Sequence, residues 1–270
     1  MKRALYSLDD EEFITFLGRT QDVLSQHEIP YAFVGGVASQ AHIASALCKQ
    51  NKRTLSEMSH SSDIRIQDYL RATDDVDITL DLRKFGNDPQ DVLVTQRVVN
   101  AVKDIADDEI YSSPLQNVVA IKLERLGAKR PTFRLGLNED ADSPDSELSL
   151  NFYYGPQDTN ARWSPQMIEF ENIHYYPFFD SAQTIAIPYG ETSVIPLRVK
   201  GLEALLATKI ARARPKDWAD IMSIYQYNTQ AGVPVNVSEV ERLLCSPDPK
   251  YQVVNSELVA SFEKFKTLIE

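Results

Sequence analysis

Apolar residues recur at helical spacing from the start of the chain. Phe13, Phe16, Leu17 and Leu24 fall on one helical face, and Pro30 ends the pattern. Ser7 is a candidate cap, and Asp9, Asp10, Glu11 and Glu12 place acidic groups where a helix dipole favours them. This predicts a helix to about His27. Tyr31 to Val34 is a short continuous apolar run, read as a buried strand, and a second helix follows Gly36 with Val37, Ala41, Ile43 and Leu47. From Cys48 to about Asp68 the chain turns polar, with Lys49, Gln50, Asn51, Lys52, Arg53 and a serine cluster, and reads as an exposed excursion. Asp75 to Leu82 is the next strand, and Asp88 and Pro89 open a helix through Val92, Val98, Val102 and Ile105. Strands are predicted over 118–126, 132–137 and 148–153, the last two separated by an acidic loop at 138–145. Short strands are predicted around His174 to Phe178 and Thr184 to Ile187. After Pro196 the pattern is helical, over 199–213, 215–227, 237–244 and 256–269. Mixed strands first and helices last predict an α/β core with a mixed α+β sheet, 1–196, followed by a helical lobe, 197–270.

Composition narrows the function classes. At 270 residues and 43% hydrophobic, the chain has enough apolar material for a large buried core. Its net charge of −11 works against broad nucleic-acid binding, which depends on phosphate neutralisation by Lys and Arg, although a local basic patch still allows RNA contact. Two cysteines, Cys48 and Cys245, do not make a disulfide framework, so a reducing cytoplasm is the expectation. No stretch reads as a secretory signal or a membrane span, and no membrane partner is expected. His27, His42, His60 and His174 lack zinc spacing.

Two short segments carry candidate chemistry. Gly35-Gly36 stands where a strand turns into a helix. Such a turn leaves the first helical amides without intrahelical partners, and glycine lets a ligand approach the backbone closely, which makes a cradle for phosphate oxygens. A glycine pair alone is more often a plain turn. Asp75-Val76-Asp77 places two aspartates on one face of a strand. Crowded carboxylates repel unless cations sit between them, and two Mg²⁺ ions about 3.5–4 Å apart are the usual arrangement in phosphoryl chemistry. A lone Asp-x-Asp is more often a solvated edge strand.

Taken together, strand, Gly-Gly, helix and Asp-x-Asp resemble the DNA polymerase β-like nucleotidyltransferase superfamily. Arg71-x-Thr73-x-Asp75-x-Asp77 is similar to a run found in minimal and AbiEii-like members. The segment from Leu202 to Ile221, with Lys209 and Arg214-Pro215-Lys216-Asp217-x-x-Asp220, looks like the AbiEii-like C-terminal motif. The resemblance spans about Pro30 to Ile221, with a longer gap between Gly36 and Asp75 than in compact members. It implies transfer of a nucleoside monophosphate from an NTP to an acceptor hydroxyl, with release of pyrophosphate and two Mg²⁺ ions bound. Asp75 and Asp77 would bind metal, and Gly35, Gly36 and Ser39 would hold the triphosphate. Arg71, Thr73, Asp217 and Asp220 would contact nucleotide, and Lys209 would reach phosphate from the second lobe. Capping and helix-dipole effects explain the charges of the C-terminal motif as well, and Arg71 has a structural reading as the partner of one of the aspartates.

One position departs from the family. A third carboxylate is expected on the strand Leu148 to Tyr153, where Asn151 stands. Glu147 and Asn151 share a face, so Glu147 is the substitute if one exists. Three options remain: an enzyme using Glu147, an enzyme using two carboxylates, or a protein that binds NTP without reacting. The acceptor is open among a small molecule of aminoglycoside type, RNA and protein. The AbiEii-like resemblance also implies a toxin–antitoxin pair, with an antitoxin protein as partner.

Overall fold

The computed structural model describes residues 6–73, 75–80, 97, 100–101, 104, 120–125, 131–136, 149–153, 180–244 and 256–270. The expected strand around 174–178, the acidic loop, Glu147 and most of the helix after Pro89 lie outside the described residues. Of that helix, Arg97, Asn100, Ala101 and Asp104 are helical. The structure is a mixed α/β fold that divides into two compact units, each discontinuous in sequence. Unit 1 comprises 1–37 and 72–157; unit 2 comprises 38–71 and 158–270. Compactness thus divides the chain differently from the change of element type at residue 196.

In unit 1, helix α1 runs Glu11–Gln26. Its cap is Asp10, whose carboxylate accepts from the Phe13 amide at 3.2 Å; Ser7 instead closes the turn before it, accepting from the Asp10 amide through its carbonyl. Phe13, Phe16, Leu17 and Leu24 are buried, as their spacing predicts. Strands β1 (Tyr31–Phe33), β2 (Asp75–Leu80), β3 (Ala120–Arg125), β4 (Pro131–Gly136) and β5 (Ser149–Tyr153) form a mixed sheet in the order β3-β4-β5-β2-β1. β2 runs antiparallel to β1 and parallel to β5, and the other neighbours are antiparallel. Val76 and Ile78 are fully buried, which fixes the register of β2 by its apolar face.

Helix α2 (Gly35–Asn51) begins in unit 1 and continues into unit 2. The polar stretch expected as an exposed excursion is largely exposed or half-buried, but it carries regular structure. α2 extends through Asn51, α3 spans Leu55–Ser59, and a 3-10 turn covers Ile66–Asp68. Thr54 and Glu57 form a reciprocal capping box at the start of α3. Leu55, Met58 and Ile66 are fully buried, so three apolar residues anchor a segment whose composition is otherwise polar.

The rest of unit 2 holds an antiparallel hairpin, β6 (Gln183–Pro188) and β7 (Val194–Val199), and helices α4 (Leu202–Arg212), α5 (Pro215–Gln230), α6 (Val237–Leu244) and α7 (Ser256–Ile269). The expected helix from Val199 therefore starts later, and the residues before it are a strand. Ile195, Leu197 and Val199 are buried at period two, a pattern that Pro196 obscured. Pro215 is the first residue of α5, where its missing amide costs nothing. Leu205, Leu206, Ile210, Ile221, Ile224 and Phe265 bury the apolar faces of these helices.

Candidate functional site

β1 ends at Phe33, and the chain turns directly into α2 at Gly35. The Val34 amide donates to the Asp77 carbonyl at 2.9 Å, so the turn is tied to the middle of β2. Gly35 has φ +58°, a left-handed conformation that suits glycine, and a Cβ built on it would lie 2.5 Å from Oδ2 of Asp77. A Cβ on Gly36 would lie 2.7 Å from Oγ1 of Thr73 and 3.0 Å from its Cβ. Glycine at 35 is required by its left-handed φ, the Asp77 carboxylate lying close by, and glycine at 36 by the close approach of the short Thr73 side chain. The two segments that carry the expected chemistry meet in unit 1.

Asp77 is half-buried, and Thr73 is buried. Thr73 exchanges both backbone hydrogen bonds with Tyr6, at 2.8 and 2.9 Å, which fixes the chain ahead of β2. Positions 75 and 77 alternate along β2 and share a face. In the parallel pairing of β2 with β5, Asp75 stands in register with Ser149 and Asp77 with Asn151. Position 151 is thus the neighbour of Asp77 across the sheet, and it carries an amide.

For a divalent metal the candidate positions are the two aspartates of one strand and the in-register asparagine. Among the described residues, no group of three or more His, Cys, Asp and Glu side chains gathers as a metal centre. Two carboxylates suffice for Mg²⁺ when phosphate and water complete its shell, which is how this ion is commonly held. The residues fit such a site.

The remaining sequence-predicted residues lie in unit 2. Ser39 is buried on α2. Arg71 makes a two-pronged contact with Asp220, Nε to Oδ1 at 2.7 Å and Nη2 to Oδ2 at 2.9 Å. Lys209, on α4, donates to the same Oδ2 at 2.5 Å. Asp220 is only 4% exposed and Lys209 5%. Burial by itself would raise the Asp220 carboxyl, but the hydrogen bonds from Arg71 and the Lys209 charge outweigh it and hold it below the usual carboxylate range. Burial pushes the Lys209 ammonium below its usual range, and Asp220 offsets only part of that. We read the cluster as ionic, because one carboxylate faces two cationic donors at short range. Asp217, also buried, reaches back from the first turn of α5 to Arg214, Nε to Oδ2 at 2.6 Å and Nη2 to Oδ1 at 3.0 Å. Lys209, Asp217 and Asp220 are thus engaged in ion pairs within unit 2.

The sequence reading passed over Gln40. It is 1% exposed on α2, and its Nε2 donates to the Arg71 carbonyl at 3.2 Å. The signal was a lone amide among Val37, Ile43 and Ala44, its neighbours on a helix face that is otherwise apolar. His42, beside it, donates from Nε2 to the Lys200 carbonyl at 2.8 Å, and burial lowers its pKa to about 4.

Neither a family model nor a curated protein matches the sequence. Among solved structures, the chain is similar to the antibiotic-resistance factor ANT(2'')-Ia, known from a solution structure with substrate-regulated conformation dynamics. The likeness covers 96% of this chain and 99% of that one, at 14% identity and a TM-score of 0.41. A likeness at that level assigns no activity. No helix among the described residues is long and apolar enough to cross a membrane.

Proposed function

We propose that this protein is a nucleotidyltransferase that moves a nucleoside monophosphate from an NTP to an acceptor hydroxyl and releases pyrophosphate. The observation that carries the reading is the meeting of Gly35 with Asp77: a glycine turn at a helix start lies against the second aspartate of an Asp-x-Asp strand. The backbone amides at Gly35 and Gly36 face phosphate oxygens in this reading, with the positive end of the helix dipole behind them. Asp75 and Asp77 would hold Mg²⁺, which supplies charge neutralisation of the triphosphate when bound. The close approach of Gly36 to Thr73 keeps the turn and the strand entry together. Lys209, Asp217 and Asp220 enter this reading as ion-paired groups of unit 2.

A second reading has its own support. Asn151 beside Asp77 leaves the sheet one carboxylate poorer than the resemblance expects, which suits a protein that binds NTP without transferring it. One experiment separates the two. The protein is incubated with each of the four NTPs labelled at the α-phosphate, Mg²⁺ and a cell extract, then resolved into RNA, protein and small-molecule fractions. Label in any fraction, lost in Asp77→Asn, supports transfer and names the acceptor class. Binding of an NTP by calorimetry without label transfer supports the binder. Neither binding nor label overturns both.

A further inference from the structure

The chain enters β2 by way of Thr73, and Thr73 is held from two sides by residues of its own unit 1. Its amide donates to the Tyr6 carbonyl at 2.9 Å, and its carbonyl accepts from the Tyr6 amide at 2.8 Å. This antiparallel bridge lies outside the named strands of the sheet. Tyr6 in turn stacks on Phe13 of α1, with ring centroids 5.7 Å apart and planes at 30°. Phe13 is buried, as is Leu8 between the two, and the Ser7 carbonyl accepts from the Asp10 amide. Tyr6 is thus fixed to α1, and Thr73 to Tyr6. On the other side, the Thr73 side chain lies against Gly36: a Cβ there would meet Oγ1 at 2.7 Å, Cβ at 3.0 Å and Cγ2 at 3.7 Å. Gly36 is the second residue of α2, and Gly35 before it lies against Asp77.

We infer that Tyr6 is a positioning residue. Through the backbone of Thr73 it sets how closely the Thr73 side chain approaches Gly36, and with that the spacing between the start of α2 and β2. The pairing of β2 with β5 begins at Asp75, so that ladder does not itself reach Thr73. The bridge to Tyr6 carries the support two residues further, to the point where the strand entry touches the glycine turn. The spacing matters because one triphosphate must meet the amides of the turn and a metal on the aspartates together. A misplacement of about 1 Å costs a catalytic site on the order of a hundredfold, and repulsion between close carboxylates works to loosen the strand. The consequence for nucleotide rests on the nucleotidyltransferase reading; the bridge itself does not.

The test uses the full chain with Tyr6→Ala, Tyr6→Phe and, as a control for general loss of stability in unit 1, Leu24→Ala, at a temperature where each is folded. Amide hydrogen exchange is followed at Thr73, which donates to Tyr6, and at Val34, which donates to the Asp77 carbonyl. Leu205 and Ile224 report on unit 2. Whichever of MgATP, MgGTP, MgCTP and MgUTP the wild type binds is titrated calorimetrically. In Tyr6→Ala, exchange at Thr73 and Val34 is expected to rise about tenfold, the scale of one lost aromatic pair, with Leu205 and Ile224 unchanged. Nucleotide affinity should fall about fivefold or more in the same variant. Tyr6→Phe keeps the ring on Phe13 and should restore both readouts, and Leu24→Ala should leave both near wild type. Unchanged exchange at Thr73 and Val34 in Tyr6→Ala overturns the inference, as does an equal rise in Leu24→Ala, a loss in Tyr6→Phe as large as in Tyr6→Ala, or wild-type affinity in Tyr6→Ala. If Tyr6→Ala does not fold, Tyr6→Leu, which keeps apolar bulk without the ring, is judged by the same outcomes. If the wild type binds no nucleotide, the functional reading fails and the exchange pattern alone decides the role of Tyr6.

Discussion

A methyl group on Gly35 would sit 2.5 Å from the Oδ2 of Asp77. Residues 42 positions apart in the chain are thereby in contact: a side chain at 35 would have to displace the carboxylate, and the left-handed φ of +58° disfavours one whatever the space. Gly35→Ala should destabilise the protein by about 1–3 kcal/mol, the usual cost of a non-glycine residue held in such a conformation plus the contact. Urea unfolding of Gly35→Ala, Asp77→Ala and the double variant measures it. A double variant recovering part of the loss shows the contact term; full additivity shows that backbone strain is the whole effect.

Asp77→Asn removes a carboxylate beside the glycine turn while keeping its size. Affinity for Mg²⁺-bound NTP should fall at least tenfold, and stability without metal should hold or rise, because a repulsion with Asp75 is relieved. Calorimetric titration and thermal melting, each with and without Mg²⁺, check both halves. Unchanged affinity removes β2 from the metal site.

Asn151→Asp tests the sheet register directly. A carboxylate placed in register with Asp77 should lower stability by about 1 kcal/mol in metal-free buffer, as like charges facing across strands do. Mg²⁺ should then raise the melting temperature of the variant more than that of the wild type. An equal Mg²⁺ response in both proteins places the side chain at 151 away from the ion.

His42 gives a pH signature independent of function. Burial lowers its folded pKa to about 4, against an unfolded value near 6.5. The unfolded chain therefore binds a proton that the folded one refuses between those values. Stability is whole above about pH 6.5 and falls as the pH drops to 4, by about 3 kcal/mol from this group. His42→Gln keeps a donor toward the Lys200 carbonyl and should flatten that part of the urea-midpoint profile. An identical profile in the variant assigns the acid sensitivity elsewhere.

Local pattern was sufficient for most elements because their signals lie within a few residues. Phe13, Phe16, Leu17 and Leu24 specify α1, and the alternation Val76, Ile78 specifies the buried face of β2. The capping box of Thr54 and Glu57 was legible too, yet a polar composition concealed α3, which needs only Leu55 and Met58 to dock. Pro196 concealed β7 in the same way, although Ile195, Leu197 and Val199 alternate through it.

The sequence by itself determined that a glycine turn and an Asp-x-Asp strand exist, since turn chemistry and strand alternation are properties of neighbours. It could not determine which charges meet. Asp220 was open to a phosphate contact, a helix dipole or an arginine, and only the tertiary structure brings Arg71, 149 residues away, onto its two oxygens, with Lys209 beside it. It likewise took the parallel pairing of β2 and β5 to set Asn151 next to Asp77. Charges in sequence carry sign but no direction. Burial of Asp220 makes a partner obligatory, and the packing of α4, α5 and the chain before β2 chooses it.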